Sequence, residues 1–552
     1  MKKLLVILLT IIAVGTILPL FHSGLFPMHD DTQVARVLTM TKALHDGMFP
    51  VRWVDLLGYN YGYPIFNFYA PFAYYVGGTV ALFGLSSLIS TKIMMGLGMI
   101  LAGLTMYLLA TSLFNKKAGF IVAIFYLYAP YHAVDLYVRG AIGELWAYAL
   151  LPLPVWGLWR LYQTKKFRYG VVVSVSFVAI IISHNLTAFI ITPFLLSVAI
   201  IFILKSGWRS FHSYLFLGVL ILGGIISSFY SIPAILESNY TNLSSILGGG
   251  SNPLDHFVCL SQLWQSQWGF GGSVPGCVDG LSFMLGKLHI IIGFFGIFSS
   301  IYFYKKKDKV VFYTIAIVTT TFIISVLMTM SPSQFLWQSI PFMKYIQFPW
   351  RFLVVSAFSL SLLCGATIFT LEKIQRRLSD LAVIIVVIAC LFLYSKYFNP
   401  QSFNTHSKQY SDPLVISYNI SKISDEYMPK DFKKPSSQDE VPTQLVQVTQ
   451  GLIRDVKIVE KTQTKKISLI SSNATIRVNI ASYPAWRITL DHRVITPVIS
   501  HGVYFISLAA GPHEIDINYV QTPIEKIADF RSIIGFCVIF LGIIKARRAQ
   551  LL

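Results

Sequence analysis

His29-Asp30-Asp31 follows directly on the first apolar segment of a chain that is otherwise largely lipid-soluble. Two adjacent carboxylates can divide the work. One takes the proton of a substrate hydroxyl as general base, while its neighbour orients the substrate or holds a divalent cation. Repulsion between the like charges raises one carboxyl relative to the other and so tunes a base. The plain alternative is a solvated cap at a helix exit. A second string, Asp135-Leu-Tyr-Val-Arg-Gly-Ala-Ile-Gly-Glu144, sets the Arg139 guanidinium between Asp135 and Glu144. A guanidinium suits phosphate or carboxylate, and an internal pair of Arg139 with Asp135 or Glu144 that only fixes helix ends is an equal reading. In Gln347-Phe-Pro-Trp-Arg-Phe352, Arg351 stands beside Trp and Pro as an interfacial anchor or, more sharply, as a lipid-phosphate contact. Lys287 and His289, at the start of a later apolar run, are further candidates for an anionic headgroup, whereas His184-Asn185 reads as a polar cap.

The elements that must position these groups are membrane helices. Of 552 residues, 55% are hydrophobic and 12% charged, and the mean hydropathy is +0.63. Repeated apolar runs of roughly 17–25 residues are long enough to cross a ~30 Å hydrocarbon core as helices, which separates this chain from a β-barrel with its alternating strands. The formal net charge of +19 would suggest nucleic acid in a soluble protein. Here the basic residues fall in short clusters between apolar runs: Lys2-Lys3, Lys116-Lys117, Arg160 to Arg168, Lys205 with Arg209, Lys305 to Lys309, Lys373 to Arg377 and Lys545 to Arg548. Such clusters mark cytoplasmic helix ends, so no nucleic-acid partner is expected. Lys2-Lys3 and the apolar stretch after it have the outline of a signal peptide, but no small-x-small cleavage site follows, and the stretch reads as a first transmembrane helix.

With every basic cluster inside, about 12 helices are expected, near 4–20, 90–113, 118–134, 144–162, 170–183, 186–204, 212–231, 286–304, 310–328, 352–371, 379–396 and 530–545. Segment 71–85 is apolar but short and holds Pro71 and Gly77-Gly78, so it reads as an interfacial or re-entrant helix. This topology divides the chain into a transmembrane module over 1–396, a hydrophilic segment over 397–529, and a final helix with a basic tail over 530–552. The module carries external loops 21–89 and 232–285, and 131–143 and 329–351 fall on the same side. In 397–529, strings such as Ala474-Thr-Ile-Arg-Val-Asn-Ile480, Trp486-Arg-Ile-Thr-Leu490 and His513-Glu-Ile-Asp-Ile-Asn-Tyr519 alternate polar and apolar residues as half-buried strands do. With turns at Asp491-His492 and Gly511-Pro512, they predict an extracytoplasmic antiparallel β-sandwich. Loop 232–285 is rich in Trp and Gly around Trp264, Trp268 and 269–273, which suits an interfacial aromatic belt or a mobile cover over a sugar site. Cys259 and Cys277 share that loop and can pair in an oxidising compartment. Cys364, Cys390 and Cys537 fall in expected helices, and no Cys/His cluster has metal-site spacing.

This layout resembles the GT-C superfamily of membrane glycosyltransferases. The resemblance implies a polyprenyl-phosphate-linked sugar donor, an acidic motif in the first external loop, here His29-Asp30-Asp31, and a second carboxylate in the region of Asp135 or Glu144. More narrowly, Tyr128-Ala-Pro-Tyr131, the 135–144 string, Pro275-Gly-Cys-Val-Asp-Gly280 and Gln347-Phe-Pro-Trp-Arg-Phe352 are similar to a bacterial membrane family labelled "6-pyruvoyl-tetrahydropterin synthase related". A soluble pterin synthase is expected to carry a zinc-binding histidine triad, and the sequence shows no such arrangement. The reading that results is a glycosyltransferase of the bacterial plasma membrane with its active site and β-domain outside. Asp30 or Asp31 would be the base. Arg139, Arg351 and Lys287 would bind the donor phosphate, with His29, Asp135, Glu144 and His289 in support and any divalent cation on Asp30 and Asp31. The acceptor would be a glycan, a lipid or a protein. The rival is a non-enzymatic lipid or polysaccharide transporter or assembly scaffold, which should carry its charges along a path near the bilayer midplane.

Overall fold

The computed structural model describes residues 2–243, 252–405 and 410–548. Residues 244–251 of the expected loop 232–285, 406–409 of segment 397–529 and 549–552 of the basic tail lie outside the described residues.

Among the described residues, seven helices are long and apolar enough to cross a membrane: Ser87–Leu113, Asn185–Ser206, Lys287–Lys305, Lys309–Thr329, Pro349–Ile374, Arg376–Tyr397 and Pro523–Arg547. Each covers one of the expected runs. Two further runs are bent, Lys116–Leu127 against Pro130–Arg139 by 46° and Leu215–Ile226 against Ser228–Leu236 by 63°, which brings the count to at most 9 against about 12 expected. The first bend falls at Pro130, which lacks the N–H that a continuing helix needs. The difference in count lies in shorter pieces. Runs 4–20 and 170–183 give Lys3–Gly15 and Phe167–Ile181, and the expected helix 144–162 is two helices, Ile142–Leu150 and Pro152–Thr164, divided at Pro152. Segment 71–85 forms Phe72–Leu82, whose 11 residues fall well short of a ~30 Å hydrocarbon core. The basic helix ends meet in pairs: Lys117 with Glu372 at 3.5 Å and with Asp380, Lys165 with Ser206 at 3.2 Å, and Lys205 4.0 Å from the Tyr313 ring centroid.

The hydrophilic segment holds one antiparallel sheet of seven strands: β1 (Val446–Lys461), β2 (Thr464–Ala481), β3 (Trp486–Leu490), β4 (Arg493–Ile495), β5 (Val498–Ser500), β6 (Val503–Leu508) and β7 (Gly511–Tyr519). β1 lies along β2 over almost its whole length. On the other side of β2, β7 pairs with 464–471 and β6 with 474–481. Among the described residues all seven strands belong to one hydrogen-bonded sheet, with β2 running from one half into the other. The alternation that predicted the strands is visible in burial: Ile467, Leu469 and Ile476 are buried between exposed or partly buried neighbours. Asp491 and His492, at φ +49° and +64°, make the two-residue turn between β3 and β4.

A buried polar joint docks this sheet on the helices. Arg52 donates to Asn67 (2.8 Å) and pairs with Asp529 (2.6 Å), Asn67 donates to Glu525 (2.7 Å), and Tyr483 and Thr522 donate to Glu237. Around it Trp53 packs on Trp486, ring centroids 5.1 Å apart. The sheet and residues 25–74 therefore share one apolar core.

Candidate functional site

The acidic motif is held in place by its backbone. The His29 N–H donates to the carbonyl of Val138 (3.0 Å) and the Asp30 N–H to that of Arg139 (2.9 Å). Gln33, in the first turn of helix Gln33–His45, donates to the carbonyls of both Asp30 (2.9 Å) and Gly140 (2.8 Å). Met28 lies so close to Gly140 that a Cβ there would stand 2.3 Å from its sulfur, and the φ of +64° at Gly140 ends the wide helical turn Val134–Arg139. The first charged string and the second are thereby laid side by side, although 107 residues separate Gln33 from Gly140.

Arg139 sits between its two carboxylates. Its Nη1 is 2.5 Å from Asp135 Oδ1 and 2.9 Å from Glu144 Oε2, and Tyr131 donates to the other Glu144 oxygen at 2.5 Å. Asp135 and Glu144 are buried. Both internal pairs open at the level of sequence therefore form, and one guanidinium faces two buried carboxylates. Trp350 covers it, with the guanidinium carbon 4.6 Å from the ring centroid, and donates its indole N–H to Ser273 Oγ (3.1 Å).

Arg351 differs. Among the described residues it forms no ion pair: Nη1 is 3.4 Å from His184 Nε2, Nη2 is 3.3 Å from Gln347 Oε1, and Nε is buried without a partner. His184 Nδ1 caps helix Asn185–Ser206, accepting from the Thr187 N–H at 3.3 Å, with Thr187 Oγ1 at 2.7 Å. Burial pushes the His184 imidazole down to about 3, and the charges that face Arg351 are the Glu144 and Asp30 carboxylates. The local chain is strained to achieve this placement. Gln347 has φ +68° and ψ −48°, and the Phe348 N–H bonds the Ile346 carbonyl at 2.8 Å, a γ-turn of the costly hand.

The two aspartates have different surroundings. Asp30 is 40% exposed and His29 61%, and His29 Nδ1 is 2.8 Å from Asp30 Oδ1. Burial opposes ionisation of the Asp30 carboxyl, but the His29 hydrogen bond and then the Arg139 guanidinium overcome it and hold that carboxyl below its usual range. The bond to Asp30 holds His29 above its own. Asp31 is buried and accepts from Tyr410 at 3.1 and 3.3 Å. The pair expected to share any cation thus turns to different partners. Over His29 lies the glycine-rich loop, where a Cβ at Gly272 would be 3.6 Å from His29 Nε2. That loop is fixed rather than loose: Cys259 and Cys277 form a disulfide, and Asp279 accepts from Gln262, Ser266 and the Gln267 N–H at 2.7, 2.7 and 2.8 Å.

The structure thus assembles His29, Asp30, Arg139, Asp135, Glu144 and Arg351. Lys287 and His289 are placed elsewhere. Lys287 Nζ is bound to Gln265 (2.8 Å) and lies over Trp264, while His289 is buried against Tyr394 with Nε2 on the Phe125 carbonyl (2.8 Å). Their position at the start of an apolar run is what suggested them, and a helix start says nothing of the direction in which a side chain points. Sequence reading missed His184 as a partner of Arg351, Tyr131 as a partner of Glu144, and Tyr410. Tyr131 stood inside a quoted string, His184 was noted only as a cap, and nothing in the sequence signals Tyr410.

Comparison with solved structures gives distant matches. The archaeal oligosaccharyltransferase AglB from Archaeoglobus fulgidus, in complex with an inhibitory peptide and a dolichol-phosphate, is 14% identical over 80% of this chain and 61% of its own, with a TM-score of 0.48. The arabinofuranosyltransferase AftD from Mycobacteria is 10% identical over 74% of this chain and 28% of its own, at 0.47. ArnT from Cupriavidus metallidurans, bound to undecaprenyl phosphate, is 13% identical over 70% and 64%, at 0.36. The chain spans 61% of the length of the oligosaccharyltransferase it matches. Residues 66–247 match the model of the family described as "6-pyruvoyl-tetrahydropterin synthase related domain; membrane protein". That stretch contains the 128–131 and 135–144 strings. No curated protein matches the chain significantly. A pterin-synthase zinc site does not fit these residues: among the described ones, no three His, Cys, Asp or Glu side chains are grouped to hold a metal ion.

Proposed function

We propose that this protein is a membrane glycosyltransferase that moves a sugar from a polyprenyl-phosphate-linked donor to an acceptor at the extracytoplasmic face. The observation that carries the reading is the pairing, in one cluster, of a half-open carboxylate kept ionised, Asp30, with a guanidinium that forms no direct ion pair among the described residues, Arg351. Asp30 takes the proton of the acceptor hydroxyl as its oxygen bonds to the anomeric carbon. The bond from that carbon to the phosphate oxygen breaks, and the electron pair leaves with the phosphate, whose charge Arg351 meets. Arg139, already shared by two carboxylates, positions the motif and the Trp350 cover. Asp31 holds the motif through Tyr410. Lys287 and His289 take no part.

The orientation rests on two observations. The disulfide of the covering loop belongs to an oxidising compartment, and the basic helix ends meet away from the motif, as cytoplasmic ends do. The test is turnover in lipid nanodiscs with polyprenyl-phosphate sugars and candidate glycan, lipid and peptide acceptors. Asp30→Asn should lower turnover by about 10²–10⁴-fold, and Asp31→Asn by far less. Unchanged turnover in Asp30→Asn removes the proposed base.

A further inference from the structure

A second concavity lies between the sheet and the segment that begins with the acidic motif. It is a cleft of about 600 Å³, within the range of roughly 300–1,000 Å³ typical of small-ligand sites. Its lining includes Tyr61, Phe432, Lys433, Asp439, Arg477 and His501. Each comes from a different part of the fold or from the stretch leading into β1: Tyr61 from the loop before Ile65–Phe68, Arg477 from β2, and His501 from the turn between β5 and β6. The walls are fixed. The Ala481 N–H donates to the Tyr61 carbonyl at 2.9 Å, and the rings of Tyr61 and Phe432 meet edge to face at 5.0 Å.

The cleft is lined by both signs of charge, Asp439 and Glu440 beside Lys433 and Arg477, and the two cations are not tied to the two acids. Arg477 donates to Asn479 Oδ1 (2.8 Å) and to the Tyr61 hydroxyl, both neutral, and its guanidinium lies 5.5 Å from the Tyr61 ring centroid. Among the described residues neither Arg477 nor Lys433 forms an ion pair, whereas the neighbouring Lys434 is taken by Asp425 at 2.7 Å. A guanidinium held flat by an amide and a phenol is prepared for a planar carboxylate. Aromatic walls suit the apolar faces of sugar rings, and Asp439 and Asn479 suit their hydroxyls. None of the residues proposed for transfer lines this cleft. Whatever it holds is a part of a molecule remote from the reacting hydroxyl.

We propose that this cleft binds an acidic oligosaccharide segment of the acceptor, with a sugar carboxylate on Arg477. The acceptor would then be a glycan chain rather than a lipid or a peptide, and that word rests on the transfer reading above. The test is calorimetric titration of the full chain in nanodiscs with tetragalacturonate and a hyaluronan tetrasaccharide, with neutral maltotetraose for comparison. The acidic sugars should bind at least tenfold more tightly than maltotetraose. Arg477→Gln should weaken them by roughly tenfold to a hundredfold, Lys433→Gln by severalfold, and Asp30→Asn should leave binding unchanged. No preference for the acidic sugars, or equal affinity in both cleft variants, overturns the proposal. If Arg477→Gln lowers the melting temperature, Lys433→Gln on the cleft surface decides alone. Acidic-glycan binding with no turnover under any donor would sink the transfer reading and leave the cleft standing.

Discussion

Replacing Arg139 by Met should be among the most damaging changes this fold can suffer, for a reason visible in three side chains. Asp135, Arg139 and Glu144 are all buried, and one guanidinium nitrogen serves both carboxylates at 2.5 and 2.9 Å. Asp135 Oδ2 lacks a hydrogen-bond partner, and Arg139 is the direct ion-pair partner of Asp135 among the described residues. Removing one member of a buried pair typically costs about 3–5 kcal/mol, because the partner is left charged in a medium of low polarity. Two carboxyl groups would lose their direct partner here while the Arg351 guanidinium stays in the cluster, which puts Arg139→Met within that range. Arg139→Lys keeps a charge but loses the fork that reaches both acids, so it should fall between the two. Unfolding in mixed detergent micelles, followed by tryptophan fluorescence, measures the difference. The double variant Arg139→Met/Glu144→Gln should recover part of the loss, since neutralising Glu144 removes one charge left without its direct partner. Arg139→Met within about 1 kcal/mol of the parent protein, with no recovery in the double variant, would refute the view of this cluster as a compensated ion triad.

Three other outcomes follow from the same geometry. His29→Ala removes the hydrogen bond that helps hold the Asp30 carboxyl low; the base would then protonate at higher pH, and the acid limb of the pH–rate profile should move up by less than about one pH unit, the modest size reflecting an exposed pair. Reducing the Cys259–Cys277 bridge, which closes a loop with a sequence separation of 18, should lower stability by about 3 kcal/mol and raise hydrogen exchange over 259–285, while exchange in β2 stays unchanged. Asn67→Leu leaves Arg52 and Glu525 without their shared partner in the polar joint; exchange should rise at 519–529 and 52–67 together, and a rise confined to one side would show that the joint does not couple them.

Much of the fold was legible because lipid is a severe solvent. Runs such as 90–113 and 352–371 must be helices wherever hydrocarbon leaves the backbone no other partner, and both appear as expected. Alternation in 474–480, 486–490 and 513–519 likewise gave real strands. What composition does not encode is where a helix breaks. Pro130 and Pro152 divide runs that look continuous in hydropathy, and with the short helices Lys3–Gly15 and Phe167–Ile181 they account for most of the difference in span count. Nor does alternation say whether strands form one sheet or two, which depends on β2 bridging both halves. At the site, charge type and spacing along the chain showed that Asp135, Arg139 and Glu144 could meet, because they are four to nine residues apart. The contacts that join Asp30 to Arg139, and Arg351 to His184, span 109 and 167 residues and arise only when the helices pack. Lys287 and His289 show the converse, since residue type and helix position suggested a role while their side chains turn to Gln265 and Phe125.

The most direct measurement of the central claim is single-turnover transfer from a polyprenyl-phosphate sugar by the protein in nanodiscs, with Asp30→Asn and Arg351→Gln assayed separately and together. If the two side chains serve one reacting centre, each alone should slow transfer by at least a hundredfold, Arg351→Gln should also weaken donor binding, and the double variant should be less impaired than the product of the two. Transfer at the parental rate in either single variant, or losses that simply multiply, would contradict it.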